Sequence, residues 1–184
     1  MTRYVAFLRG INVGGHVVKM DRLRTLFEAL GFSGVRTFIA SGNVVFDSAA
    51  RDVQALESKI GVYLAKALGY EVATFVRTEA EVLRIAAFAP FPSSETDRDG
   101  TRVFVGFFQA TLGAAGRKAA GSFRTDSDEF HADRKELYWL CRVPMLESTV
   151  SYVRLEKALG QRATFRNANT VQRIAAALAE KPRG

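Results

Sequence analysis

The residues best suited to binding an anion lie between Arg9 and Gly15, in the segment Arg-Gly-Ile-Asn-Val-Gly-Gly. Glycine adopts backbone conformations that other residues rarely reach, so several amide groups of this segment can turn toward one point. The Arg9 guanidinium offers paired donors that match the oxygens of a phosphate or a carboxylate. The residue types of this segment predict an anion-binding loop, but they do not identify a reaction.

A strand and a helix must position this loop. The run from Tyr4 to Ile11 predicts a strand, and apolar residues at spacings of three and four from Asp21 to Leu30 predict an amphipathic helix. The loop therefore leads to the amino end of a helix, where exposed amides and the helix dipole favour an anion. Lys19 lies just before that helix and could add a mobile ammonium group.

A second bend carries small polar residues. Strands are predicted over 35–40 and 44–47, around the Ser41-Gly42-Asn43 turn, and a helix over about 53–68 with a strand over 71–77 completes the order βαββαβ. In such a unit the first and third strands are central antiparallel neighbours, so the end of one meets the start of the other. We therefore predict that the two bends lie together at one edge of the sheet.

The predicted binding site combines charge, backbone donors and polar side chains. Arg9 and Lys19 would neutralise the ligand, and Gly14 and Gly15 would donate amide hydrogens. An alternative is that both segments are ordinary turns that need glycine. The remaining residues assigned to this site are Asn12, Ser41, Gly42 and Asn43.

A further polar patch precedes the last helix. The apolar stripe after Arg166-Asn-Ala-Asn-Thr170 predicts that helix, with Asn169 or Thr170 as its N-cap. Arg166 and Asn167 would then be further polar groups near a helix amino end, where an anion is favoured. The simpler alternative is a cap together with an arginine that bonds loop carbonyls.

The second half of the chain repeats the pattern of the first. Residues 78–81 have capping-box spacing and open a trailing helix, and the turn-rich segment 90–100 marks a boundary, giving domains over 1–92 and 93–184. We predict an α+β protein of two ferredoxin-like βαββαβ halves with mainly antiparallel sheets, plus a C-terminal helix over 170–180. The predicted elements of the second half are strands over 102–108, 129–132, 137–143 and 163–166 and helices over 111–122 and 147–159.

Composition narrows the class of protein. A chain of 184 residues with 48% hydrophobic content can bury one large core or two small ones. We expect a soluble cytoplasmic protein with no membrane partner, because no apolar run approaches the ~18 residues of a membrane span and the chain leads directly into a strand. The net charge of +7 favours anionic partners, although the charges are spread along the chain. The single cysteine, Cys141, lies in an apolar run and is predicted to be buried.

Several chemistries lack the residues that they need. The glycine loop is not followed by the Lys-Ser/Thr pair of a Walker loop, and no Gly-x-Gly-x-x-Gly follows a strand. Two histidines and one cysteine show no metal-ligand spacing. Nucleophilic catalysis by Ser41 would require His16 or His131 and an unidentified carboxylate. No catalytic residue or cofactor is therefore assigned, and the question of enzymatic activity is left open.

Two other classes of function compete with small-anion binding. RNA-recognition modules stack bases on aromatic residues of a βαββαβ sheet, and Phe7 and Arg9 share a face of the first strand with Arg3 and Val5. Against this, the third strand lacks the glycine and aromatic spacing of the usual RNA motif. The other alternative is a non-catalytic module for protein interaction or self-association, which an exposed apolar patch would favour.

Three long motifs resemble a known family. They are Tyr4-Val-Ala-Phe-Leu-Arg-Gly-Ile-Asn-Val-Gly-Gly15, Ser41-Gly-Asn-Val-Val-Phe46 and Arg166-Asn-Ala-Asn-Thr-Val171. They are similar to the bacterial family of unknown function numbered 1697, over nearly the whole chain. The resemblance implies paired ferredoxin-like domains and no established activity. That pattern usually has Trp where this chain has Ala168.

Overall fold

The computed structural model describes residues 1–12, 14–39 and 41–180. Val13, within the predicted binding loop, and Ala40, the last residue of a predicted strand, lie outside the described residues. The chain forms two compact units, Met1–Val82 and Leu83–Gly184, and each contains a four-stranded antiparallel sheet. Among the described residues, none of the helices is long and apolar enough to cross a lipid bilayer.

The first unit has the predicted βαββαβ order. Its strands are arranged β2-β3-β1-β4, so that β1 and β3 are the central pair, with Phe7 opposite Asn43. The elements are β1 (Thr2–Leu8), α1 (Met20–Ala29), β2 (Ser33–Thr37), β3 (Asn43–Ser48), α2 (Val53–Leu68) and β4 (Thr74–Thr78).

The apolar stripes of α1 and α2 form the core of this unit with the sheet. Leu23 and Phe27 of α1 are fully buried, as is Ile60 of α2, because spacings of three and four place such residues on one helix face. Their packing fixes where each helix begins and ends relative to the strands. Sheet residues in the same cluster include Tyr4, Ala6, Leu8, Val44 and Phe46.

The second unit repeats the topology, with strand order β6-β7-β5-β8. Two ferredoxin-like halves and a C-terminal helix are therefore confirmed. Cys141 is buried in β7, as predicted. The remaining elements are α3 (Glu79–Ala87), α4 (Ser93–Thr96), β5 (Arg102–Phe107), α5 (Ala114–Gly121), β6 (Asp128–Asp133), β7 (Glu136–Cys141), a 3-10 turn (Met145–Glu147), α6 (Tyr152–Leu159), β8 (Thr164–Asn167) and α7 (Ala168–Ala179).

Some element boundaries differ from the predictions for local reasons. Strand β1 ends at Leu8 rather than at residue 11, because Gly10 and Asn12 adopt left-handed φ angles of 89° and 56°. The helix predicted from residue 147 begins at residue 152, where the Ser151 side chain caps it by accepting from the Arg154 amide. The predicted capping box at residues 78–81 is confirmed by reciprocal bonds of 2.8 and 3.2 Å between its two ends.

Helix α3 is joined to the second sheet by ion pairs. The Arg84 guanidinium lies 2.6 Å from Asp133 Oδ2 and 2.8 Å from Glu136 Oε2. The Glu136 side chain is only 1% exposed, so loss of the guanidinium would leave a buried carboxylate without this counter-charge. The Tyr138 hydroxyl also donates to the Ile85 carbonyl, and burial raises the pKa of Tyr138.

The buried carboxylate of Asp128 lies at the centre of a hydrogen-bond network at the start of β6. Asp128 is fully buried, and its oxygens accept four side-chain hydrogen bonds. Burial alone raises the pKa of Asp128, but these bonds outweigh that effect and lower it. The network ties β6 to β7 and to the segment before α6. The donors are Thr125 Oγ1 (2.8 Å), Ser127 Oγ (2.8 Å), Trp139 Nε1 (2.8 Å) and Ser148 Oγ (2.9 Å).

We predict that Asp128→Asn destabilises the protein by about 2 kcal/mol at neutral pH, since one acceptor oxygen of the buried network is lost. A carboxylate with a lowered folded-state pKa stabilises the fold above its unfolded pKa of about 4, and this contribution is lost as the pH falls through the folded value. The difference between wild type and variant should therefore shrink in acid.

Urea unfolding at several pH values, followed by the fluorescence of Trp139, the single tryptophan, measures this difference. Asp126→Asn is the matched control, because Asp126 is exposed two residues away. A difference in the free energy of unfolding between wild type and Asp128→Asn that stays the same in acid would contradict the prediction.

Candidate functional site

The two glycine-bearing bends lie side by side at one end of the first sheet. The Leu8 amide donates to the Gly42 carbonyl at 2.8 Å. A Cβ atom on Gly42 would lie 3.0 Å from Cβ of Ile11, so the hairpin turn packs directly against the loop that follows β1. This is the juxtaposition that antiparallel pairing of β1 and β3 predicts. We call the described residues of 9–19 and 38–43 the glycine corner.

Left-handed backbone is concentrated in the glycine corner. Most of these positions are glycines, but Ile39 has a φ of 58° and is 43% exposed. A β-branched residue rarely adopts this conformation, which costs roughly 1–2 kcal/mol. No pattern in the sequence predicts this left-handed conformation at Ile39. The other left-handed residues of the corner are Gly10, Asn12, Gly14, Gly15 and Gly42.

Two asparagines that were expected to orient a ligand hold the shape of the corner. The Asn12 side-chain oxygen accepts from the Val18 amide at 2.7 Å and so closes the loop on itself. Asn43 is fully buried, and its side-chain nitrogen donates to the Phe38 carbonyl at 3.0 Å and to Ser41 Oγ at 2.8 Å. The ligand role expected for Asn12 and Asn43 stays a prediction, and the hydrogen bonds given above belong to the two bends themselves.

The remaining predicted donors and cations face solvent. Arg9, Gly14, Gly15 and Lys19 are all exposed. Within the described part of the chain, the Gly14 and Gly15 amides meet no acceptor and Lys19 forms no ion pair. Lys19 is also the N-cap residue of α1 and makes no side-chain cap bond, so its side chain does not occupy the first amides of that helix. The corner thus presents positive charge and amide hydrogens together.

An aromatic stack borders the corner. The His16 ring lies on the Tyr70 ring, with centroids 3.8 Å apart and planes inclined by 22°. The Tyr70 hydroxyl is buried without a hydrogen-bond partner among the described residues, and burial raises the pKa of Tyr70. The sequence places His16 beside the glycine loop. It contains no pattern that predicts a contact with Tyr70, which lies in the segment between α2 and β4.

The residues considered for nucleophilic catalysis have other contacts. Ser41 Oγ accepts from Asn43, and His16 stacks on an aromatic ring. His131 belongs to the second unit, where its ring centroid lies 5.6 Å from that of Phe88. Among the residues that the structure describes, no three His, Cys, Asp or Glu side chains are grouped so that they could hold a metal ion.

The face of β1 considered for RNA is covered. Phe7 and Val5 are both fully buried, and the Arg3 guanidinium bonds Asp47 at 3.1 Å. A buried ring cannot stack on a base, so the structure contradicts the role considered for Phe7. Arg9 is exposed at this end of the strand.

The second polar patch lies in the second unit. Arg166 Nη1 donates to Thr164 Oγ1 and to the Phe165 carbonyl, both at 2.9 Å, and burial lowers the pKa of Arg166 to about 10. Asn167 caps α7 by accepting from the Asn169 amide at 2.9 Å. The predicted cap at Asn169 or Thr170 is wrong, because β8 leads directly into a helix that begins at Ala168.

Comparison with known proteins gives a family and a fold. A family model described as "Protein of unknown function (DUF1697)" matches residues 1–138. A solved structure, that of the conserved bacterial protein SP0830 from Streptococcus pneumoniae, has 22% sequence identity and a TM-score of 0.73, over 98% of this chain and 99% of that one. At this identity the likeness shows the fold alone. No curated protein matches the chain.

We predict that Gly42→Ala destabilises the first unit more than Gly69→Ala does. Both glycines have left-handed φ angles, 72° and 82°, so each substitution carries a backbone cost of about 1 kcal/mol. Only at Gly42 would the new methyl group press on Ile11 and Leu8, which adds roughly 1–3 kcal/mol.

Denaturant unfolding of the two variants separates these contributions, since a methyl group at Gly69 would meet no atom within 4 Å. Equal destabilisation by the two substitutions would show that the bends are not in tight contact.

Proposed function

We propose that this chain, which belongs to the DUF1697 family of proteins of unknown function, binds a phosphorylated or carboxylated small molecule at the glycine corner. Nucleotides are among the candidate ligands. In this proposal Arg9 and Lys19 neutralise the negative charge of the ligand, while the Gly14 and Gly15 amides donate hydrogen bonds to its oxygens. The proposed setting is the cytoplasm.

The contact between the two bends carries the proposal. Because the Leu8 amide bonds the Gly42 carbonyl, the loop after β1 is held against the hairpin turn. The loop then runs to the amino end of α1, whose N-cap residue offers no side-chain acceptor to the helix amides. A helix amino end without such a cap favours an anion, which satisfies its amides and complements its dipole.

Binding in this proposal depends on backbone donors and cations, with the polar side chains in supporting roles. Asn12 and Asn43 keep the two bends in shape, and Gly42 permits their close approach. Half-buried Ser41 stays in the proposal as a hydroxyl at the edge of the site. Loss of the Arg9 guanidinium should therefore weaken binding.

The chemistry of the corner supports recognition rather than turnover. A reaction needs a nucleophile, a base or a metal within reach of the ligand. The contacts of Ser41 and His16 serve the hairpin and an aromatic stack. We therefore propose a binding protein and assign no reaction.

We predict that calorimetric titration at low salt detects binding of AMP, glucose 6-phosphate or citrate, and that Arg9→Ala weakens the affinity about tenfold. A hydrogen bond to a charged group contributes roughly 1.5–3 kcal/mol, which supports a loss of this size. Lys19→Ala should have a smaller effect, because a mobile ammonium group acts mainly as a point charge.

Arg51→Ala is the matched control. Arg51 is exposed like Arg9, but it follows β3 and so lies at the other end of the first sheet. An equal loss of affinity in Arg51→Ala would indicate non-specific charge attraction. Binding of short RNA alone, with a steep salt dependence, would replace the proposal with the RNA alternative.

A further inference from the structure

The second unit contains a cavity of about 570 Å³. Its lining comes from the segment between α3 and β5, from the first two residues of β5 and from the junction of β8 with α7. Cavities of this size hold small organic ligands. Every lining residue lies within 88–172, so the cavity shares no residue with the glycine corner.

The amino end of α7 supplies a hydrogen-bond donor to this cavity. Asn167 and Asn169 both line it, and the Asn167 oxygen already accepts from the Asn169 amide. The Asn167 side-chain nitrogen meets no acceptor among the described residues. Helix α7 is twelve residues long, so its dipole adds positive potential at this end.

The side chain of Thr101 gives a second, independent indication of a ligand. Thr101 lines the cavity and is only 5% exposed. Its backbone is satisfied, since its amide donates to the Arg98 carbonyl at 3.1 Å and its carbonyl accepts from Arg102 Nη1 at 2.7 Å. Its hydroxyl has no hydrogen-bond partner within the described ranges. The hydroxyl is thus left to the cavity in a residue that is otherwise closed off, and a ligand atom there would supply its partner.

The charges around the cavity are balanced. Arg98 and Arg102 contribute two cations, and Asp97 and Asp99 contribute two carboxylates. All four residues are exposed, so their charges lie at the solvent-facing side of the lining. A doubly charged phosphate would be repelled by the carboxylates, whereas a molecule with one negative and one positive group matches both signs.

Aromatic residues supply an apolar part of the lining. Phe91 is 8% exposed and Phe88 is 37% exposed, and both lie on the α3 side of the cavity. Such surface suits the side chain of a small ligand rather than its charged groups.

We propose that this cavity binds a free α-amino acid. The carboxylate of the ligand accepts from the Asn167 side-chain nitrogen and from the hydroxyl of Thr101, at the positive end of the α7 dipole. Its ammonium group faces Asp97 and Asp99, and its side chain packs against Phe88 and Phe91. Binding here does not depend on an anion at the glycine corner.

A set of matched ligands tests the two charged contacts. Ligand-observed NMR with the twenty amino acids at millimolar concentration should first identify those that bind. For phenylalanine as probe, calorimetry should then show affinity at least about tenfold weaker for 3-phenylpropionate, which lacks the ammonium group, and for 2-phenylethylamine, which lacks the carboxylate. Failure of all twenty amino acids to bind, or equal affinity for the three phenyl compounds, would overturn the proposal.

Two variants locate the site without breaking the fold. Thr101→Val removes a hydroxyl that bonds nothing in the described chain, so the free energy of unfolding should not fall while the affinity falls about tenfold. Asn167→Asp keeps a good N-cap but places a negative charge beside the ligand carboxylate. It should abolish phenylalanine binding and strengthen that of 2-phenylethylamine, a reversal that a purely structural role would not produce.

Thr111→Val is the control for the first variant, since Thr111 is exposed and does not line the cavity. Arg9→Ala should leave amino-acid affinity unchanged, so that failure of either proposed site is detected separately. Unchanged phenylalanine affinity in both Thr101→Val and Asn167→Asp would place the ligand elsewhere and end the proposal.

Discussion

The glycine corner depends on the antiparallel pairing of β1 and β3. With Phe7 opposite Asn43, the next residue of β1 meets the hairpin turn, and the Leu8 amide bonds the Gly42 carbonyl. The absence of a side chain at Gly42 then lets the turn pack against Ile11. A shift of this register by one residue would turn the side chains of a strand to the opposite face of the sheet, so the core and the corner are specified together.

The second unit shows that topology alone does not make such a site. There too the end of a central strand meets a hairpin turn, since the Phe108 amide bonds the Lys135 carbonyl at 2.9 Å. The Leu112 amide also donates a hydrogen bond, to the Arg134 carbonyl at 2.7 Å, and Leu112 is buried. The same connection therefore serves packing in one unit and presents exposed glycine amides in the other, because the residues of the loop differ.

Polar side chains near both sites mainly form hydrogen bonds with backbone groups. Asn12, Asn43 and Asn167 each form hydrogen bonds with main-chain groups where regular structure begins or ends. A short amide side chain reaches only a few residues along the chain, so closing a loop or capping a helix is its nearest use. The hydrogen-bond donors that face outward at the glycine corner are then backbone amides and long cationic side chains.

Periodicity and turn chemistry determined the βαββαβ order of both halves, and with it the meeting of the two bends, because strand order follows from short connections and local patterns. Burial could not be derived in the same way. Whether Phe7 or Asn43 faces solvent depends on what covers that part of the sheet, and both are fully buried. The stack of His16 on Tyr70 and the cavity that joins Thr101 to Asn167 bring together residues more than fifty positions apart, through packing that no local pattern encodes.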